Sequence, residues 1–407
     1  MKYETRLIWV LGITFGFVFF DRNAVNYLMP FIVSDLKFNN QQVGMIASAL
    51  SFTWALAGFL GGAYSDRSGN RKTLLLTTVI AFSLCSFLSG LAASFLTLLL
   101  ARLLMGLAEG PILPVSQSLV ALESSDARRG HNMGVMQNFG SNLLGSFLAP
   151  LVLVALAGLY SWRGAFFIAG IPGLVMALLI ARYVRAPARH TSQAPAAPAD
   201  SGMRYGEMLR YRNIWLCTLM SIVMVAWMVL GWAFLPLFYV SIRQLTAAQM
   251  SLLMSVLGLS AAFFSFVVPG LSDRFGRRPV IIAFNLIGLL APLAALYFDG
   301  SLYALGALIF IGWSASGTFP LFMGTIPSET IPARYVATSL GLVMGVGEIL
   351  GGVSGPWAAG WAADRYGLRA PIMIEAGCAI VGALLALFLQ ETAPARLARH
   401  TVAVAAG

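Results

Sequence analysis

The sequence predicts an all-α integral membrane protein whose twelve transmembrane helices form two six-helix, pseudo-symmetric bundles, and three observations predict it. First, 58% of the 407 residues are hydrophobic and only 10% are charged, whereas a soluble domain has roughly a quarter charged residues. Second, the apolar residues are collected in runs of about 20, the length that spans a bilayer as a helix. Third, one short charged string recurs along the chain.

The apolar runs predict two groups of six helices. The first group is 7–31, 42–64, 73–92, 95–120, 132–157 and 164–184. The second group is 214–240, 248–270, 279–298, 302–326, 334–360 and 371–390. We therefore expect a six-helix bundle at 1–186 and another at 213–392, with a cytoplasmic tail at 393–407. The segment 187–212 between them contains three prolines and several arginines, which predicts a polar cytoplasmic linker.

The basic residues predict how the helices are oriented. With both termini in the cytoplasm, nineteen of the 26 Lys and Arg residues lie in inner segments and five in outer segments, while Arg22 and Arg102 lie within the membrane. Cytoplasmic loops are typically enriched in Lys and Arg. The net charge of +10 therefore reflects membrane topology, and we expect no nucleic-acid partner.

The recurring string D-R-x-G-x-R indicates internal repeats. It occurs at 66–71 after the second predicted helix, at 273–278 after the eighth, and at 364–369 after the eleventh. The first two copies fall inside and the third outside. This pattern is typical of two parallel halves, each containing three-helix units of inverted topology, a design in which transporters hold substrate near the midplane between the halves.

Several motifs resemble those of the major facilitator superfamily. Gly62-Ala-Tyr-Ser-Asp66-Arg67-Ser-Gly69-Asn-Arg71-Lys72 resembles its signature between helices 2 and 3, Arg102-x-x-x-Gly106 resembles its helix 4 motif, and Pro327-Ser-Glu329-Thr-Ile-Pro332-Ala-Arg334 resembles its segment between helices 10 and 11. Within the superfamily, Asp21-Arg22-x-x-x-Asn26 and the pair Arg102 and Glu109, followed by Gly-Pro, resemble the anion:cation symporters. That resemblance implies uptake of organic anions, such as sugar acids, together with protons.

Four ionisable residues lie deep in the predicted first bundle, where ionisable residues mark functional sites by default. The resemblance assigns Asp21 and Glu109 to proton coupling, and burial suits a carboxyl group to this role because it disfavours the charged form. Arg22 and Arg102 offer forked donors that suit a substrate carboxylate. The structural alternatives are that each acid simply pairs with an arginine, and that Arg102 bonds backbone carbonyl groups.

Further polar and aromatic residues complete the predicted substrate site. The amide side chains of Gln137, Asn138 and Asn142 lie in an apolar helix, where they could contact substrate or bond to neighbouring helices. The aromatic candidates are Tyr27, Trp54 and Phe319. Because Trp54 and Phe319 lack a hydroxyl group, we expect a substrate less hydroxylated than a sugar acid, such as an aromatic or short-chain carboxylate.

Two predictions concern coupling and conformational change. Glu348, a deep acid of the second half, departs from the family pattern and is a candidate second proton-coupling site or a packing partner. The repeated strings predict a cytoplasmic latch that pairs acids with arginines and helix ends of the facing half. Its predicted members are Asp66, Arg67, Arg71, Asp273, Arg274 and Arg277.

The sequence thus predicts a secondary transporter of a bacterial inner membrane that imports a small organic anion by proton symport, with both termini cytoplasmic. We expect a monomer that uses the proton gradient and needs no metal or other cofactor, and we expect no enzyme activity. The main alternative is a proton-coupled exporter of drugs or metabolites on the same fold. A transport-inactive sensor is disfavoured because the termini are short.

Overall fold

The computed structural model describes residues 3–68, 70–124, 132–133, 135–185, 208, 210–332 and 335–393, apart from the side chains at 63, 66, 67, 138, 139 and 337. All regular secondary structure in these residues is helical, with no strand. Most of the predicted linker at 187–212 and nearly all of the predicted tail at 393–407 lie outside the described residues, and the predicted domain boundaries stay predictions.

The helices of the first half are long and apolar. They are α1 (Tyr3–Leu36), α2 (Asn40–Ser68), α3 (Arg71–Gly90), α4 (Phe95–Glu109), α5 (Ile112–Glu123) and α6 (Ala149–Tyr183), with π-helical segments at Val135–Phe139 and Ser141–Leu148 before α6. The break between α4 and α5 falls at Gly110 and Pro111, because proline lacks the N–H that would continue the backbone ladder.

The second half is also helical but more often interrupted. Its α-helices are α7 (Arg212–Ser241), α8 (Ala247–Phe275), α9 (Arg277–Ile287), α10 (Leu290–Tyr297), α11 (Leu302–Gly312), α12 (Ile326–Thr330), α13 (Val336–Val346), α14 (Ser354–Tyr366) and α15 (Arg369–Leu387). A 3₁₀ segment, Trp313–Thr318, follows α11, and π-helical segments lie at Leu321–Thr325 and Gly347–Val353.

The described residues contain eleven helical runs that are long and apolar enough to cross a membrane. The fifth run, Val135–Tyr183, has 49 residues, more than twice the length that one span requires. It changes direction at Ser161, whose backbone has φ 70° and ψ 165°. The run therefore provides two spans, and the fold has the twelve transmembrane helices that the sequence predicts.

Internal contacts divide the chain into two compact units. The first unit contains Met1–Ser192 and Pro236–Leu259, and the second contains Gln193–Leu235 and Ser260–Gly407. Both α7 and α8 therefore contribute residues to each unit. In the first unit, the buried core includes Leu11, Phe15, Leu75, Phe82 and Ile112.

Glycines bring the helices of the first unit close together. A Cβ atom on Gly106 of α4 would overlap the Thr53 hydroxyl and lie 2.6 Å from the carbonyl oxygen of Leu50, both on α2. A Cβ atom on Gly110 would lie 2.6 Å from the backbone of Trp54 and Gly58. This small-x-x-x-small spacing allows α4 to pack directly on α2, as is common between membrane helices.

Candidate functional site

Asp21 is completely buried near the middle of α1. The Ser86 hydroxyl of α3 donates a hydrogen bond of 2.8 Å to its Oδ1, and that hydroxyl also lies 2.9 Å from the carbonyl oxygen of Phe166 on α6. Since a hydroxyl carries one hydrogen, the two acceptors compete for it. Asp21 Oδ2 has no hydrogen-bond partner among the described residues, so the carboxyl group is held by one shared neutral donor.

Arg102 of α4 is also completely buried. Its Nη2 donates a 2.6 Å hydrogen bond to the Ser89 hydroxyl oxygen on α3, and its guanidinium carbon lies 5.2 Å from the centre of the Phe166 ring. Its Nε and Nη1 have no partner in the described part of the chain. The geometry differs from both sequence-based alternatives, because Arg102 neither bonds a described backbone carbonyl nor has an exposed face for a substrate.

Glu109 lies at the last position of α4 and is 1% exposed. Neither of its carboxylate oxygens forms a hydrogen bond with a described residue. The charges of Arg22, Asp21 and Arg102 all act on it, which places the four ionisable residues in one electrostatic group. A buried carboxyl group without a donor strongly disfavours its charged form, which suits a group that takes up and releases a proton.

Arg22 differs from the other three residues because it is only half-buried. Its guanidinium carbon lies 4.8 Å from the centre of a Trp54 ring and 5.6 Å from the centre of the Phe19 ring. Within the described residues it forms no ion pair with a carboxylate. The two rings hold the cation in place by cation–π attraction, and its forked N–H donors remain available to another partner.

The four residues carry two positive and two negative formal charges when all are ionised. Three of them are withdrawn from water, and Arg22 alone keeps contact with it. An additional anion beside Arg22 would therefore leave one uncompensated negative charge in a low-dielectric region unless a carboxyl group became protonated. This arrangement is chemically suited to linking the binding of an anion to the binding of a proton.

The other predicted substrate residues of the first unit serve different contacts. Tyr27 is fully buried, and its hydroxyl donates to the carbonyl oxygen of Gly145 at 3.3 Å. Gln137 accepts a 3.1 Å hydrogen bond from Gln117 on α5, so it bonds a neighbouring helix. Asn142 is half-buried, and its side chain forms no hydrogen bond with another described residue, while the Asn138 side chain lies outside the described residues.

A π-helical turn presents the carbonyl oxygen that Tyr27 contacts. Within Ser141–Leu148, the oxygen of Gly145 accepts from both Tyr27 and the Asn23 amide, the latter at 3.1 Å. A π-helical turn disrupts the regular α-helical ladder. Because Gly145 has no side chain, Phe19 of α1 fits against it. The contact therefore holds α1, with the Phe19 ring that packs on Arg22, against this π-helical segment.

In the second unit, Phe319 and Glu348 are both half-buried. The Phe319 ring packs against Phe322 at 5.1 Å between centres. Glu348 lies in the π-helical segment Gly347–Val353, and π-helical turns are frequent at functional sites. The described residues contain no group of His, Cys, Asp and Glu side chains that could hold a metal ion.

Two of the three predicted latch residues of the second unit, Asp273 and Arg277, form an ion-pair network with Glu329 within that unit. Arg277 donates to Asp273 at 2.5 Å and to Glu329 at 2.9 Å. Its side chain is 7% exposed, whereas that of Asp273 is 68% exposed. The Arg274 guanidinium carbon lies 5.6 Å from the centre of the Phe275 ring. In the first unit, the Asp66 and Arg67 side chains lie outside the described residues, and Arg71 is half-buried.

The sequence-based prediction missed the partners on α3. Ser83, Ser86 and Ser89 recur every three residues in an otherwise apolar helix, and two of them bond Asp21 and Arg102. Cys85 lies close enough to interact with Asp21, Arg102 and Glu109. The sequence did contain a signal for these partners. It was the regular spacing of small polar residues on one helix next to helices with buried charges.

The chain matches the sequence profile of the Major Facilitator Superfamily at residues 11–353 and 230–404. A probable sulfoacetate transporter of Cupriavidus necator is 25% identical over 96% of this chain and 94% of its own length. The 3-(3-hydroxy-phenyl)propionate transporter of Escherichia coli is 28% identical over 88% of this chain and 87% of its own. The hexuronate transporter of Bacillus subtilis is 35% identical over 45% of this chain and 43% of its own.

Solved structures show the same fold. A bacterial homologue of the lysosomal transporter Spinster, in an inward-facing and occupied conformation, has a TM-score of 0.81 at 20% identity and covers 95% of this chain and 97% of its own. A D-xylose-proton symporter has a TM-score of 0.76 at 18% identity and covers 96% of this chain and 99% of its own. The chain is a multi-pass membrane transporter rather than an enzyme, and it belongs to the Major Facilitator Superfamily.

Proposed function

We propose that this transporter imports a small organic anion together with protons. The observation that carries the proposal is Arg22. It is half-buried, flanked by the Trp54 and Phe19 rings and, within the described residues, not paired with an acid. A guanidinium group held in this way offers two parallel donors to a carboxylate, and the proton-accepting candidates Asp21 and Glu109 belong to the same electrostatic group.

Competition for positive charge couples the two ligands in this proposal. When Glu109 is ionised, Arg22 and Arg102 compensate its charge, which weakens their attraction for another anion. When Glu109 or Asp21 is protonated, its negative charge disappears. The positive charge of Arg22 and Arg102 then attracts the substrate carboxylate more strongly. Since coupling is reciprocal, a bound anion raises the affinity of the same carboxyl groups for protons by the same factor.

Arg22 and Arg102 therefore have separate roles. Arg22 binds substrate, because it alone of the two has an accessible face. Arg102 lies between Asp21 and Glu109 in the electrostatic group and positions their charges without touching substrate. The aromatic neighbours of Arg22 favour a short-chain or aromatic carboxylate over a polyhydroxylated one. Relatives named for sulfoacetate and 3-(3-hydroxy-phenyl)propionate support this class.

The cellular setting is also part of the proposal. We place the protein in the bacterial inner membrane with both termini in the cytoplasm, as the excess of basic residues in the inner segments suggests. The proton gradient drives transport, no cofactor is needed, and a monomer is the working unit. The repeated D-R-x-G-x-R strings around Asp66 and Asp273 act as a latch during alternating access. In the second unit, Glu348 is a candidate for proton coupling and Phe319 for substrate binding.

Uptake into proteoliposomes tests the function directly. The full-length protein is reconstituted, an acid-outside pH gradient is imposed, and accumulation is measured for a panel of short-chain, aromatic and sugar-acid carboxylates. We expect accumulation of a short-chain or aromatic acid that collapses when a protonophore is added. Uptake that is equal with and without the gradient would overturn proton symport.

A proton-coupled exporter of drugs or metabolites is the alternative on this fold. In the same vesicles, an exporter would drive its substrate against the proton flux, so an acid-inside gradient would cause uptake. Proton-driven movement opposite to substrate would therefore replace symport with antiport.

A further inference from the structure

The second unit contains a buried acid that the proposed mechanism does not use. Glu375 lies in α15, less than two turns from its first residue, and is completely buried. Neither carboxylate oxygen has a hydrogen-bond partner among the described residues. In a membrane interior an unpaired ionisable group is costly and is a functional-site hypothesis by default.

Helix α7 packs closely against this carboxyl group at Gly231. A Cβ atom on Gly231 would lie 3.2 Å from Glu375 Oε1 and would overlap the Trp313 ring. Trp313 in turn stacks on Trp227 with 4.3 Å between ring centres, and Trp232 meets it edge-on at 5.7 Å. The acid is therefore enclosed by backbone and indole rings, and both stacked tryptophans are fully buried.

Buried hydrogen-bond donors without a partner lie on the elements near the acid. The indole nitrogens of Trp227 and Trp313 and the amide nitrogen of Asn285 are buried without a partner among the described residues. Asn285, on α9, lies against α15, since a Cβ atom on Gly382 would be 3.0 Å from its Nδ2. Glu375 and Gly382 are seven residues apart, two helical turns, and share one face of α15. Gly382 lies about 10 Å from Glu375 along the helix axis, so Asn285 reaches the acid only if the helices move.

Within the described part of the chain, burial is the influence that acts on the Glu375 carboxyl, and no basic side chain compensates its charge. Helices α9, α10 and α14 pack on α15, and α7 approaches it at Gly231. Within the described residues, the Cys378 thiol, one turn along α15, interacts electrostatically with Glu375. The ionisable residues of these five helices that lie elsewhere along them are Arg212, Cys217, Tyr239, Arg277, Arg278, Tyr297, Asp364, Arg365, Tyr366 and Arg369.

An ionised carboxylate in such surroundings would lack both a counter-charge and a donor. Burial without compensation makes the ionised form far less stable than the neutral acid. The conformation described here therefore holds Glu375 as a neutral carboxylic acid. Ionisation requires either water or the unused donors of Trp227, Trp313 and Asn285 to reach it.

We propose that Glu375 is a further proton-binding site of the transporter, located in the second unit. This proposal rests on the proton coupling proposed above. In the step, a water-borne hydronium ion gives its proton to the carboxylate, an O–H bond forms on Glu375, and water leaves. The reverse step returns the proton to water on the opposite side of the membrane.

The local backbone provides a means of exposing the site. Trp313 begins the 3₁₀ segment Trp313–Thr318 that follows α11. A 3₁₀ stretch inside a longer helix often marks a functional hinge. Rotation of this segment moves the indole that covers Glu375 and offers its Nε1–H to the carboxylate. Exposure of Glu375 to water and deprotonation of its carboxyl group are thereby linked.

Infrared spectroscopy of the purified full-length protein tests proton binding without any transported substrate. At neutral pH we expect the wild-type C=O band of protonated carboxylic acids to contain a Glu375 component that is lost in Glu375→Gln and unchanged in the control Asp299→Asn, an exposed acid of the same unit. Glu375→Asp should restore the band at a shifted frequency, and it replaces the Gln variant if that variant does not fold. Equal spectra for wild type and Glu375→Gln would overturn the proposal.

The number of protons moved tests whether this site turns over. With the membrane potential clamped at zero, loss of one coupled proton should lower the substrate accumulation ratio about tenfold per unit of pH gradient. We expect this loss for Glu375→Gln and not for Asp299→Asn. Accumulation equal to wild type would overturn the proposal, because Glu375 would then be a permanently neutral packing residue.

The two proposals fail in different ways. If wild-type protein accumulates no carboxylate under any pH gradient, proton symport is wrong, whereas the infrared measurement still decides whether Glu375 binds a proton. A Glu375 band that disappears reversibly as the pH is raised supports the site. A missing band refutes it.

Discussion

Asp21 and Arg102 are both completely buried and interact electrostatically, yet they form no ion pair. Each is held instead by a serine of α3: Ser86 donates to Asp21 and Ser89 accepts from Arg102. The two serines are three residues apart, so they lie on one face of the helix. Direct pairing would favour the charged form of both groups, whereas here each is held by one neutral hydroxyl group.

Glu109→Gln should abolish pH-driven accumulation while leaving substrate exchange intact. Glutamine has the shape of the protonated acid but cannot release a proton, so the site stays in its anion-accepting form. Counterflow and gradient-driven uptake are measured in the same proteoliposomes. Glu123→Gln, an exposed acid at the end of α5, is the control and should behave as wild type. Gradient-driven accumulation by Glu109→Gln would contradict its role.

Arg22→Lys should raise the KM for the transported anion by roughly 10- to 100-fold, because hydrogen bonds to charged groups contribute about 1.5–3 kcal/mol and lysine lacks the planar fork. Initial uptake rates over a range of substrate concentrations measure the effect. Arg182→Lys is the matched control, since its guanidinium group also lies near a ring, that of Tyr183 at 5.8 Å, but is exposed. An unchanged KM in Arg22→Lys would remove Arg22 from the substrate site.

Ser89→Ala should lower stability by about 1–3 kcal/mol, the cost of leaving a buried donor without its acceptor. The loss is expected because Arg102 has no other hydrogen-bond partner in the described residues. Thermal unfolding in detergent is the measurement. Ser83→Ala serves as control because Ser83, equally buried on α3, bonds its own helix at the carbonyl of Val79. Equal effects of the two substitutions would show that the Arg102 contact contributes nothing.

Gly106→Ala should destabilise the first unit by about 1–3 kcal/mol or more, since this is the usual cost of overpacking a closely packed site. The added methyl group would meet backbone atoms of Leu50 and Trp54 as well as the Thr53 hydroxyl. Gly158→Ala is the control: its methyl group would meet nothing within 4 Å, so helix propensity alone predicts a neutral or slightly favourable change. Unfolding temperatures of both variants decide between the two expectations.

Glu329→Gln should destabilise the second unit more than Asp273→Asn does. Both acids pair with Arg277, but the Glu329 side chain is 24% exposed and that of Asp273 is 68% exposed. Exposed pairs contribute about 0–1 kcal/mol, whereas losing a partly buried partner of a charge costs about 1–3 kcal/mol. Chemical or thermal unfolding of the two variants at low and high salt compares them. A larger effect of Asp273→Asn would reverse the assigned order.

The sequence by itself determined the class of fold and the identity of the buried charges. Helices must satisfy their own backbone in lipid, so apolar runs of membrane-spanning length predicted the twelve helices without tertiary information. Ionisable side chains are also costly in lipid. For that reason Asp21, Arg22, Arg102 and Glu109 could be identified as candidate functional residues. The superfamily followed from motifs that resemble its signatures, at 62–72, 102–106 and 327–334, and the comparisons confirmed it.

Only the tertiary structure decided which partners these residues have. Ser86 and Ser89 are 65 and 13 residues from Asp21 and Arg102 along the chain, and no local pattern specifies such contacts. Burial separated Arg22 from Arg102, two arginines that the sequence treats alike. Packing also decided the surroundings of Glu375, which lies against α7 at Gly231 and near the stacked Trp227 and Trp313 rings. The burial of a side chain and its hydrogen-bond partners depend on how the helices pack. That packing is determined by contacts between segments that are distant in the sequence.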